Sequence, residues 1–221
     1  MGKELNILIA VPSGTHWLAE FGTSLVSLVG ALAMNQVRGY SVTQFQVSNI
    51  KGSILPNARL RALKTAKKIN ATHLLFIDSD HTFPADMVHR LLAHEKDVVA
   101  ANCVTKTIPA MTTARQEGLD SQGEPVFSDT AVGIEKVWRV GTGVMLLSRK
   151  AYMQIPHDAF GMQYKEETDS YQGEDWALCE ALTKAGVPIY IDHAVSREVG
   201  HIGLLTYTHD YVGTVQREAV E

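Results

Sequence analysis

Residues 72–80 read THLLFIDSD: four apolar side chains, Leu74 to Ile77, run directly into two aspartates separated by one serine. The run reads as a buried strand that delivers Asp78 and Asp80 to its open end. Two carboxylates this close repel each other unless a cation lies between them or one keeps its proton. Asp78 and Asp80 therefore suggest a metal-dependent site, with a capped loop carrying two solvated acids as the structural alternative.

Upstream, residues 6–12 form a short apolar run broken by Pro12-Ser13-Gly14, and a helical pattern begins near His16, with Phe21, Leu25, Leu28 and Leu32 on one stripe. Residues 42–47 read as a second strand. Pro56-Asn57 opens a helix to about Ile69 that turns Leu60, Leu63 and Ala66 inward and presents a basic outer face. Downstream of the aspartates, Pro84 starts a helix with Met87, Val88, Leu91 and Leu92 on one side, and residues 97–101 make a fourth strand. This alternation predicts an α/β fold, a mainly parallel sheet covered by helices on both faces. Ligands of such sheets bind beyond the carboxyl ends of the strands, where Pro12 and Ser13 end the first.

The alternation stops at Asn102. Residues 104–137 show no sustained period and read as a long surface excursion. Strand-like sequence returns over residues 139–149 around Gly141-Thr142-Gly143, followed by a short helix over 150–155. Gly173-Glu174-Asp175 opens a last helix with Ala177, Leu178, Ala181, Leu182 and Ala185 as its buried stripe, stopped by Gly186 and Pro188. Residues 189–191 are a final strand, and a tail carries His201 and His209.

With 221 residues, 45% of them hydrophobic, the chain is expected to form one domain over 1–221. The net charge of -4 is unevenly spread: residues 1–70 hold eight Lys or Arg against Glu4 and Glu20, so the remainder carries the acid excess. That asymmetry fits a phosphate-bearing ligand near the first part and metal-binding acids in the second, or an accidental dipole. Cys103 and Cys179 lack CxxC spacing, which argues against a disulfide framework or structural zinc and predicts a reducing cytoplasm. The apolar stretch 17–34 contains Glu20, Gly22, Thr23, Ser24, Ser27 and Gly30, so it is expected to pack on a sheet rather than span a membrane. No signal peptide is read at the N-terminus.

Two families use such a strand end differently. Asp78-Ser79-Asp80-His81-Thr82 resembles the DxDxT motif of haloacid-dehalogenase-like phosphatases, which would make Asp78 a nucleophile and Asp80 a general acid. That family places the motif after its first strand, whereas two strand-helix units precede it here. The chain more closely resembles glycosyltransferases of the GT-A fold, whose DxD motif ends a strand about a third of the way into the domain. Further segments agree in order: ILPNARLRALKTAKK at 54–68, RVGTGVMLLSRKAY at 139–152, GEDWALCEALTKAGVPIYID at 173–192 and VGHIG at 199–203. The resemblance covers nearly the whole chain and is nearest to compact bacterial or phage-encoded members. Residues 104–137 match no motif.

The resemblance implies a nucleotide-binding half over 1–103 and an acceptor-side half over 104–221, with a Rossmann-like sheet and a smaller antiparallel region. It implies a divalent ion, Mn2+ or Mg2+, held by Asp80 and His201 with Asp78 beside them on the ribose or a metal-bound water. Such an ion neutralises the diphosphate as it leaves. Pro12, Ser13, Asn57, Arg59, Asp78 and Ser79 would contact a nucleotide-sugar donor, UDP-linked by resemblance. Gly141, Thr142 and Gly143 would approach the sugar through their backbone. Asp175, with Glu174 second, would take the acceptor proton in an inverting reaction. Trp138 and Trp176 flank these motifs as ring-stacking or core residues. The acceptor is left open between a glycan, a protein side chain and a hydroxymethylated base in phage DNA, and a binding module that has lost transfer activity is a third reading.

Overall fold

The computed structural model describes residues 3–34, 40–166 and 169–203. The chain begins with the strand β1 (Lys3–Ser13), the helix α1 (Ala19–Met34), β2 (Tyr40–Lys51) and α2 (Leu55–Lys68). The aspartate-bearing strand β3 (His73–Ile77) follows, then β4 (His81–Thr82), α3 (Met87–Ala93) and β5 (Val98–Ala100). The excursion holds the short pair β6 (Arg115–Gln116) and β7 (Glu124–Pro125) and ends in β8 (Ile134–Val137). Next come β9 (Val144–Ser148), α4 (Arg149–Met153), the hairpin β10 (Gln163–Lys165) and β11 (Ser170–Gln172), and α5 (Glu174–Lys184). The described chain closes with β12 (Ile189–Asp192), α6 (His193–Glu198) and β13 (Gly200–His201). His209 lies outside the described residues.

Seven strands form the central sheet in the order β2-β1-β3-β9-β5-β12-β8. The pairs β1 with β2, β1 with β3 and β5 with β12 are parallel, as the strand-helix alternation predicts. Side chains alternate across the sheet with period two, so β3 sends Leu74 and Phe76 to one face and Leu75 and Ile77 to the other. The first face is covered by α2, α4 and α5 through residues such as Leu63, Tyr152 and Leu182. The second is covered by α1 and α3, with Val195 of α6 joining them. Burial on both faces accounts for the unbroken apolar runs of β3 and β9. The stretch 17–34 packs through Phe21, Leu25, Leu28 and Leu32, and no helix among the described residues is long and apolar enough to cross a membrane.

Three features depart from the expected elements. β9 lies inside the sheet and runs antiparallel to both β3 and β5; its apolar pattern shows a buried strand but carries no sign of direction. The excursion ends in the edge strand β8, antiparallel to β12, whose sequence IEKV buries only Val137 and so has little apolar period. The tail forms α6 and β13, and β13 pairs antiparallel with β4 so that His201 lies opposite His81.

Besides the pairing of β8 with β12, one buried side chain ties the excursion to the sheet. Asn102, at the exit of β5, donates through Nδ2 to Val126 O (2.8 Å) and Ser128 Oγ (3.2 Å) and accepts through Oδ1 from Ala114 N (2.9 Å). Its backbone N–H reaches Ser196 Oγ of α6 at 2.8 Å, and Ser128 passes the network on to His193 at 2.9 Å. Asn102→Ala would orphan the N–H of Ala114, itself fully buried. Unfolding in urea is expected to show a loss of about 3 kcal/mol, since each stranded buried polar group costs ~1–3 kcal/mol.

Candidate functional site

In this sheet topology the carboxyl ends of β1, β3 and β5 share one edge, and the antiparallel β9 starts at that same edge. Gly141-Thr142-Gly143, just before β9, is thereby brought beside Asp78, whose N–H donates to Gly143 O at 2.9 Å. Helices that precede parallel strands begin at this edge too, which places the first turns of α2 and α5 there. Their side chains and the strand ends enclose a cleft of ≈ 230 Å³ lined by Arg59, Asp78, Gly141–Gly143, Glu174, Asp175 and His201, among others.

Arg59 is almost fully buried and joins three elements. Its Nη2 donates to both Asp78 oxygens at 3.1 and 3.2 Å, and its Nε donates to Glu174 Oε1 at 3.3 Å. The guanidinium also lies 5.4 Å from the Phe76 ring centroid. Two carboxylates compensate one buried cation, the arrangement that low polarity demands. Nη1 has no hydrogen-bond partner among the described residues.

A second cluster forms where β13 meets β4. Asp80, His81 and His201 bring one ligand atom each to within 4.8 Å of one another. The His201 Nδ1 lies 2.6 Å from Val104 O, a contact that only a protonated nitrogen makes, so in the neutral ring Nε2 carries a lone pair. That Nε2 lies 3.4 Å from Asp80 Oδ2, so the neutral ring would set two electron-pair donors face to face. A cation between them resolves the repulsion, and ligand atoms in a shell of ~2.1 Å bonds lie about 3 Å apart. The residues therefore fit a divalent ion.

Two side chains bring positive charge to Asp80. Lys106 Nζ donates to Asp80 Oδ2, and His81 Nδ1 pairs with Asp80 Oδ1 at 3.1 Å. Burial would raise the Asp80 pKa, but these two partners outweigh it and hold the carboxyl well below the usual carboxylate range. Burial works against a charged His81, yet Asp80, with Cys103 and the Asp78 charge behind it, outweighs burial and lifts the imidazole to about 10. The His81 ring stacks on His201 with centroids 4.2 Å apart.

Asp175 is the remaining acid of the cleft. Its pKa is raised, first by burial and then by the neighbouring Glu174 charge, against the Trp176 N–H that it accepts at 2.8 Å. Glu174 is engaged by Arg59, so the two acids of the GED motif have different surroundings.

The structure thus brings Arg59, Asp78, Gly141, Thr142, Gly143, Glu174, Asp175 and His201 to one cleft, with Asp80 behind His201. Asp78 faces Arg59 rather than the Asp80–His81–His201 group. Pro12 and Ser13 end β1, with Ser13 Oγ bonded to Asn49 Oδ1. Asn57 is exposed in the first turn of α2, outside the lining of the cleft, as is Ser79. Sequence reading missed Lys106, which comes from the unassigned excursion, and the ligand geometry of His81, visible only once β4 pairs with β13.

Neither a family model nor a curated protein matches the chain in sequence. Solved structures do match in shape. One is A197 from STIV, at a TM-score of 0.50 and 15% identity, covering 93% of this chain and 100% of that one. Another is GalNAc-T7 with UDP, GalNAc and Mn2+, at a TM-score of 0.54 and 11% identity. It is matched over 95% of this chain, which spans 46% of its length. At such identities the likeness is one of fold, and the fold is GT-A-like: a mainly parallel sheet between helices, with small antiparallel sheets beside it.

Two substitutions test the cluster. A methyl added at Gly143 would meet the His81 ring at 2.8 Å, closer than carbon contacts allow. Gly143→Ala is expected to displace His81 with the stacked His201 and to weaken Mn2+ binding at least tenfold, read by electron paramagnetic resonance. Lys106→Met removes the ammonium that competes for Asp80, and calorimetry should show tighter Mn2+ binding than in the wild type.

Proposed function

We propose that this chain is a metal-dependent glycosyltransferase that moves a sugar from a UDP-linked donor to a hydroxyl acceptor. The reading rests on one observation above all: the His201 face of an ion-binding cluster, the backbone of Gly141–Gly143 and the acid Asp175 line the same cleft. Asp80 and His201 would hold Mn2+ or Mg2+, and that ion supplies neutralisation of the leaving diphosphate. Arg59 holds the Asp78 carboxylate on its own side of the cleft, away from the ion cluster, so Asp78 would serve the donor's ribose rather than the ion. Pro12, Ser13, Asn57 and Ser79 lie outside the lining of the cleft and would reach only the parts of the donor that extend beyond it.

The small residues at 141 and 143 let the donor sugar approach the backbone, and the packing there is close: a Cβ on Gly143 would lie 2.8 Å from the His81 ring and one on Gly141 3.2 Å from Thr113. Asp175 takes the acceptor proton in the inverting form of the reaction. The acceptor oxygen bonds to the anomeric carbon, the bond from that carbon to the diphosphate oxygen breaks, and the diphosphate carries off the electron pair. Glu174 is already bound to Arg59, which favours Asp175 for this role. A raised carboxyl pKa suits a base that must gain a proton in the transition state.

The phosphatase reading requires Asp78 as a free nucleophile, yet both of its oxygens accept from Arg59. Incubating the protein with Mn2+ and a panel of nucleotide sugars, then assaying released UDP, separates the readings. Release of inorganic phosphate from a phosphomonoester, without UDP release, would favour the phosphatase. Saturable UDP-sugar binding without turnover on any acceptor would favour the binding module.

Asp175→Asn is predicted to separate activity from stability. A carboxyl whose pKa is raised by folding loses stability as pH rises through its unfolded value, and the loss is complete above the folded one. Above its folded pKa the ionised group therefore opposes folding. The amide should give an unfolding temperature at or above that of the wild type while transfer falls about 100-fold or more.

A further inference from the structure

Asp175 belongs to two cavities. Behind the cleft lies a second, larger one of ≈ 500 Å³, walled by the loop at Ser121 and Gln122, Arg139, the β10–β11 hairpin and the first turn of α5. Its volume falls in the ~300–1,000 Å³ range of small-molecule sites. The motifs discussed above leave most of it unassigned.

Its floor is a built polar site. Arg139 is only 8% exposed, with its guanidinium 3.6 Å from the Trp138 ring centroid and 4.6 Å from that of Trp176. Nη1 donates to Ser121 O at 3.2 Å and Nη2 to Glu180 Oε1 at 3.1 Å. Gln172 reinforces Glu180 through Nε2 at 3.0 Å. Nε is buried without a hydrogen-bond partner among the described residues. A buried donor left in this state costs stability unless something later accepts from it.

The rim differs in kind. Tyr171 is 66% exposed and presents an aromatic face, Gln122 is exposed, and Lys165 makes a long contact to Gln163 at 3.5 Å. Aromatic faces with neutral amides and few uncommitted charges suit a ring bearing many hydroxyls. A nucleic-acid strand would need a run of cations along its backbone. Here Arg139 is neutralised by Glu180, Asp175 is an acid, and the acid excess of the chain lies after residue 70.

We infer that this second cavity is the acceptor subsite and that it takes a carbohydrate. A sugar ring lies against Tyr171, its hydroxyls meet Gln122 and Gln172, and one hydroxyl is turned towards Asp175. The inference rests on the transferase reading, and its test keeps the two apart.

The full chain with Mn2+ and UDP is mixed with methyl β-glycosides of glucose, galactose and N-acetylglucosamine, and saturation-transfer NMR is recorded. UDP binding is measured by calorimetry on the same sample. Transfer to the ring protons of at least one glycoside is expected, reduced at least fivefold in Tyr171→Ala and in Gln122→Ala, both exposed side chains. Circular dichroism checks that both variants keep their fold. Absence of transfer to every glycoside, or equal transfer in both variants, would overturn the assignment. So would transfer seen only to a serine- and threonine-bearing peptide or a hydroxymethylcytosine oligonucleotide. If UDP binds and the glycosides do not, the acceptor assignment fails and the donor reading stands. If the glycosides bind as expected and UDP does not, the donor reading fails and the cavity remains a sugar site.

Discussion

A guanidinium buried to the extent of Arg59 must find its counter-charges within the protein, because leaving it unpaired in a medium of low polarity costs several kcal/mol. It finds them on the end of β3 and the start of α5, so one side chain of α2 sets the relative position of three elements. The pairing also sorts the acids. Asp78 and Glu174 become structural partners of Arg59, while Asp80 and Asp175 keep carboxylates that answer to other groups. Each adjacent or near-adjacent pair of acids is thereby split between different partners, one member on Arg59 and the other on groups elsewhere.

The antiparallel course of β9 matters as much as this pairing. Had β9 run parallel to its neighbours, Gly141–Gly143 would lie at the opposite edge of the sheet, far from Asp78. Antiparallel insertion puts the small residues that precede the strand against the aspartates that follow another. The return of the chain through α6 then lets β13 pair with β4 and carries His201 to Asp80. Asn102 holds the intervening excursion in place, and with it the loop from which Lys106 reaches Asp80.

Much of this was legible in the sequence alone. The strand before Asp78, the amphipathic α1 and α2, the stripe of α5 and the α/β class follow from apolar spacing, which reports burial directly. The acids, the glycine pair and His201 stood out as residue types. What could not be read was partnership. Nothing near Arg59 in the chain announces Asp78 and Glu174, nothing near Lys106 announces Asp80, and the β8 edge strand has too little apolar period to mark it as part of the sheet.

The sequence by itself determined which segments are buried and which chemical groups the chain brings to a sheet edge, because hydrophobic period and residue type are local properties. Only the tertiary structure decided the direction of β9, the division of labour among the four acids, the meeting of His81 with His201, and the second cavity that shares Asp175. Those depend on contacts between residues far apart in the chain, where burial sets the strength of every charge and a hydrogen bond chooses which nitrogen of an imidazole is free.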